Sequence, residues 1–148
     1  MRKAYSKYPL DVPNPAFGNE RFTWLPMLNI KVARNHAFTP TIPAVVDSGS
    51  PYCMFNAGVA EYLGLKLEEG IESAIGGIIS DPKEPIYYHR VRIQIESMCI
   101  ISVMAGFCKK LSVTAILGRN GFFDKFYVRF DHSANPPEVE ITRIEGRN

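Results

Sequence analysis

The chain has 148 residues, of which 46% are hydrophobic and 22% charged, and its formal net charge is +2. That length carries one domain with a real core, and the composition is that of an ordinary folded globular chain. The near-neutral balance implies neither nucleic acid nor an anionic membrane as a partner; only Arg2-Lys3 and Lys109-Lys110 set basic residues side by side.

Residues 1–20 contain Pro9, Pro13, Pro15, Gly18 and Asn19 and read as an irregular N-terminal arm in front of a domain over 21–148. Leu28, Ile30 and Val32 then alternate with Asn29 and Lys31, the pattern of a half-buried strand. A polar connection leads to the apolar run Ala44-Val45-Val46. Residues 55–65 predict a short helix with Val59, Tyr62 and Leu63 on one face and Gly64 as its stop. Ile75-Gly76-Gly77-Ile78 reads as a hairpin tip whose glycines supply the turn and whose isoleucines ask for a partner.

Val91, Ile93 and Ile95 alternate with Arg92 and Gln94 as another strand, followed by strands over 100–105 and 111–117. Residues 120–125 predict one helical turn. Phe126, Val128 and Phe130, then Val139 and Ile141, mark two further strands around the turn Asp131 to Pro137. Short strands separated by turn signals at roughly 8–12-residue spacing predict an all-β sandwich or closed barrel.

Chemistry concentrates at Val45-Val46-Asp47-Ser48-Gly49-Ser50, where an apolar run delivers a carboxylate into a Ser-Gly-Ser turn. Such a turn is also an ordinary strand end. Further along, Ile116-Leu117-Gly118-Arg119-Asn120 repeats the theme of an apolar run ending in glycine. Together the two segments resemble the paired motifs of the retropepsin-like aspartic proteases, in their order and spacing, over roughly residues 22–143.

The resemblance implies an all-β, closed acid-protease barrel with one or two short helices and an active site at a homodimer interface. Asp47 would be the catalytic residue. Ser48 would brace the turn across the dimer, Gly49 would orient the carboxylate, and Ser50 would support the loop. Gly118 would pack against that loop without a side chain, and Arg119 would make a structural ion pair. Ile75, Gly76, Gly77 and Ile78 would form a flap over the substrate. Many retroviral members place an acid directly after their motif, where this chain has Pro51, so the grip on substrate there must differ.

Aspartic proteolysis needs two carboxylates close enough to share one proton. Asp11, Asp81, Asp124 and Asp131 do not repeat the Asp-Ser-Gly turn, so the second carboxylate must be Asp47 of another copy. The expected partners are a second copy and a peptide or protein substrate, with neither nucleic acid nor membrane. No metal or cofactor is expected: His36, His89 and His132 lack a ligand spacing, and Cys53, Cys99 and Cys108 contain no C-x-x-C pair. Cys53 lacks a nearby histidine and reads as a buried apolar thiol.

The reduced thiols and the absence of an apolar leader after Met1 predict a cytoplasmic, cellular or bacterial-type protein. The expected activity is that of an aspartic endopeptidase. The alternative is a catalytically silent module of the same fold that dimerises or captures peptides.

Overall fold

The computed structural model describes residues 1–73 and 85–147. Its strands in chain order are β1 (Arg2–Ala4), β2 (Ser6–Asn14), β3 (Glu20–Leu25), β4 (Met27–Ala33), β5 (Ile42–Val46), β6 (Met54–Asn56), β7 (Ile71–Ser73), β8 (Ile86–Ile95), β9 (Cys99–Cys108), β10 (Ala115–Leu117), β11 (Phe126–Asp131) and β12 (Glu138–Arg143). One short helix, α1 (Ala57–Tyr62), follows β6, and single 3-10 turns occupy Pro15–Phe17 and Leu67–Glu69.

Strand order β4-β5-β10-β6-β9-β8 closes on itself through the β4–β8 pairing, with β7 as an extra strand on β8. The result is a six-stranded closed barrel, which removes the unpaired edges an open sheet would leave. Most ladders are antiparallel, but β5–β10 and β6–β9 run parallel. The parallel β5–β10 pair brings the C-terminal ends of two strands from distant parts of the chain to one end of the barrel.

The alternating patterns in the sequence become the barrel interior. Leu28, Ile30 and Val32 face inward from β4, and Val91, Ile93 and Ile95 from β8, each almost wholly buried. Phe55 and Phe107 stack at 5.3 Å between ring centres where β6 and β9 run side by side. Each such side chain stabilises the fold by roughly 1.5–3 kcal/mol on burial. A second small sheet, β1-β12-β11, packs Val139 and Ile141 onto the same core.

Residues 1–20 are not an irregular arm. Arg2 to Ala4 pair with β12, and Arg2 lies within ion-pair distance of Glu138 and Glu140 on that strand. Tyr5 is buried, with its hydroxyl 3.2 Å from His132 Nε2. Residues 6–25 form a hairpin, so the expected boundary at 20/21 falls inside a structural unit. Pro9 and Pro13 are compatible with β2 because, among the described residues, that strand has a neighbour on one side only, and missing N–H donors are tolerated on the open side.

The predicted helix over 55–65 shortens to α1. Phe55 is instead held by ladders to Phe107 and Ala115, and the Asn56 side chain caps the helix by accepting from Gly58 N at 3.0 Å. Tyr62 lies on the solvent side of α1, not the core side. Residues 119–125 make successive turns in place of a regular helix, although Phe122 N to Gly118 O and Phe126 N to Phe122 O keep helical spacing. The expected flap residues Ile75, Gly76, Gly77 and Ile78 lie outside the described residues.

Candidate active site at the Asp47 turn

Strands β5 and β10 run parallel and end together, with Val46 opposite Leu117. Val46 N donates to Pro26 O at 2.8 Å and Asp47 N to Leu117 O at 3.1 Å, so Asp47 emerges at the point where three segments meet. Its half-buried carboxylate folds back over the turn, and Oδ1 accepts the Gly49 N–H at 2.8 Å. Ser50 N donates to Asp47 O at 3.2 Å and completes a tight Asx-type turn. The aspartate is thus held by backbone at both its amide and its side chain.

The second motif forms the floor of this turn. Arg119 N donates to Ser50 O and Asn120 N to Pro51 O, both at 2.9 Å. Gly118 is required by close approach: a Cβ there would overlap the Tyr52 carbonyl and come within 2.9 Å of Ser50 O. The Ser50 hydroxyl donates to Tyr52 O at 2.9 Å. The two segments singled out in the sequence are therefore joined into one loop cluster, with Gly118 as the contact point.

Ser48 is exposed at the tip of the turn. Arg119 is also exposed, and its guanidinium meets no carboxylate among the described residues. Asp47 is the single carboxylate on this turn, so one chain holds half of what a carboxylate dyad requires.

Two further side chains shape the site, of which Cys53, read in the sequence as a buried apolar thiol, is the expected one. Cys53 is fully buried beneath the loop; burial pushes its thiol up to about 12, against the opposing effect of a backbone hydrogen bond from Gly118. A thiol held protonated in this way is no nucleophile at neutral pH, and its contact with Gly118 makes it a packing element of the site. Tyr52, five positions beyond Asp47, meets Tyr88 edge-on at 5.5 Å between ring centres. The two rings border a cavity of about 270 Å³ with Met104, Asn120 and Asp124. No motif announces Tyr52; its place follows from its pairing with Asn120 across the loop cluster.

A larger cavity of about 360 Å³ lies at the other end of β5, between Ile42, Val59, Leu111 and Val113, away from the carboxylate. The histidines do not cluster. His36 is exposed, His89 is buried with Nε2 3.1 Å from Leu67 O, and His132 sits against Tyr5. Among the described residues there is no group of three or more His, Cys, Asp or Glu suited to a metal ion. No helix of the described residues is long and apolar enough to cross a membrane.

No family model and no curated protein sequence matches the chain. Among solved structures it resembles a retropepsin-like aspartic protease from Rickettsia conorii, with a TM-score of 0.53 and 13% identity over 77% of this chain and 89% of that one. An EIAV protease complexed with an inhibitor matches with a TM-score of 0.45 and 14% identity, covering 64% of this chain and 82% of that one. The retroviral protease-like domain of Ddi1 from Leishmania major matches with a TM-score of 0.44 and 20% identity, covering 64% and 73%. At such identity likeness speaks for the fold alone. On the Rickettsia match, this chain stands in a distant structural relationship to the retropepsin-like aspartic protease fold.

Proposed function

We propose that the protein is an aspartic endopeptidase of the retropepsin-like kind, built from two copies whose Asp47 carboxylates face each other across a two-fold axis. One observation carries the reading: Asp47 leaves β5 in a turn braced by Gly49 N, seated on the Gly118 loop at a joint of parallel strands. Two such carboxylates brought within a few ångströms share one proton, because both cannot stay ionised so close together. The ionised partner takes a proton from a water. That water attacks the peptide carbonyl carbon while the protonated partner donates to the carbonyl oxygen. Collapse breaks the C–N bond, the amine leaves protonated, and the products are a carboxylate and an amine. The chemistry calls for no metal or cofactor.

In this reading Ser48 reaches the other copy, Gly49 holds the carboxylate, Ser50 supports the loop, and Gly118 sets the loop height. Arg119, exposed within one chain, meets its acceptor at the interface. The substrate is an extended peptide bound by its backbone in the manner of an added strand. A cytoplasmic, cellular member of the fold suits Cys53, Cys99 and Cys108, which form no disulfide among the described residues.

The test is cleavage of a peptide library from pH 4 to 7 by the wild type and by Asp47→Asn, with oligomeric state recorded in the same buffers. Cleavage by a dimer that disappears in Asp47→Asn supports the endopeptidase. A stable dimer that cleaves nothing at any pH assigns the fold to dimerisation or peptide capture.

A further inference from the structure

We propose that the β2–β3 hairpin is an arm that lies on the body of a second copy of this chain, so that two copies exchange arms beside their Asp47 turns. The proposal rests on the reading of Asp47 as half of a dyad and extends it to the surface that holds the copies together.

The hairpin is built as if something covers it. Among the described residues its two strands pair only with each other, and neither contains a buried residue. An isolated two-stranded ribbon is marginal in water and gains stability from a third strand or a packed layer. Val12 and Phe17, toward the far end, are 75% and 68% exposed. Nearer the body, Phe22 and Trp24 meet edge-on, with the Lys7 ammonium 4.4 Å from the centre of the Phe22 ring. The root is secured where Trp24 packs against the core. The apolar tip has no such support.

The position of the root selects the occupant. The hairpin runs through Pro26 into β4, and Pro26 O accepts the N–H of Val46, the residue before Asp47, at 2.8 Å. It therefore springs from the edge of the barrel where a second Asp47 must arrive. An interface of standard size takes roughly 20–30 residues from each partner. The Asp47 turn and the Gly118 loop offer only a few, whereas the hairpin adds the whole of residues 6–25 from the same edge. At about 3.3 Å per residue β2 alone extends for about 30 Å, enough to lie across a neighbouring barrel. Reciprocal arms satisfy the self-complementarity of a two-fold interface. Substrate is the poorer fit, because Pro9 and Pro13 deprive β2 of two N–H donors along its length.

The test compares the full-length wild type with the double variant Val12→Glu/Phe17→Glu by sedimentation across a concentration series, with peptide cleavage measured alongside. Both side chains are exposed in the single chain, so the variant keeps its fold. The expected result is a dimer dissociation constant raised at least tenfold, with cleavage per dimer retained at high concentration. In the wild type, amide hydrogen exchange over 6–25 should slow as the dimer forms. A dissociation constant within twofold of wild type, with exchange in 6–25 independent of concentration, overturns the arm and leaves the dyad standing if the wild type cleaves. An intact dimer whose KM for peptide rises gives the hairpin to substrate and also overturns it. A wild type that stays monomeric at every concentration removes the arm and the dyad together.

Discussion

No side chain fits between Gly118 and the carbonyl of Tyr52: a Cβ at Gly118 would overlap that carbonyl and lie 2.9 Å from Ser50 O. The obstruction is backbone on both sides, so it cannot be relieved by a rotamer change. Gly118→Ala must push apart the loop that carries Asp47 and the loop beneath it. Expected is a loss of about 1–3 kcal/mol in urea unfolding, with cleavage falling further than stability because the carboxylate is displaced. Gly64→Ala is the control; at φ +64, with nothing within 4 Å of an added Cβ, it costs about 1–2 kcal/mol through its left-handed backbone alone and leaves cleavage intact.

Asp47→Asn keeps the turn. The amide oxygen can still accept from Gly49 N, so unfolding stability should stay within about 0.5 kcal/mol of wild type. Cleavage should fall by at least about 10²-fold, since an amide can neither take a proton from water nor share one with its twin. A variant equally stable and equally active would end the dyad reading.

Cys53 makes the fold sensitive to alkali. Burial raises its thiol to about 12 from 9.0, so the folded state holds the proton that the unfolded chain releases. The stabilisation is fully present below pH 9 and is lost as pH rises from 9 toward 12, at about 1.4 kcal/mol for each step of one in pH. Urea midpoints taken from pH 8 to 11 should decline for the wild type and decline less for Cys53→Ala. At pH 8 Cys53 should also be alkylated last, after the half-buried Cys99 and Cys108.

Asn56 ties α1 to the barrel twice. Its Oδ1 accepts Gly58 N at 3.0 Å and its Nδ2 donates to Leu111 O at 2.8 Å. Asn56→Ala should cost about 1–2 kcal/mol, while Asn56→Asp should recover the cap but not the bond to Leu111. Equal losses in both variants would mean that the cap contributes nothing.

Phe107 is fully buried between Phe55 and His89, with ring centres at 5.3 and 5.7 Å. Phe107→Ala should destabilise by about 3–5 kcal/mol, read as a shift of the urea midpoint with an unchanged slope. Because β9 lies parallel to β6 and not against the Asp47 turn, the folded variant should retain cleavage.

Residue pattern alone dictates the barrel wall and the position of the carboxylate. Period-2 alternation at Leu28-Ile30-Val32 and Val91-Ile93-Ile95 leaves one way to bury the apolar side of each strand. The Asp-Ser-Gly turn and the lone Gly118 each answer to a local backbone demand that residue type expresses directly. Pairing between distant segments settles the rest. Phe55 is strand because Phe107 and Ala115 offer ladder partners, and Arg2 to Ala4 are strand because β12 comes alongside. Pro9 and Pro13, which read as breakers in sequence, sit in a strand whose single neighbour among the described residues leaves their missing donors without consequence. Local pattern states which side of a strand is apolar; only the folded chain supplies the neighbour that makes it a strand.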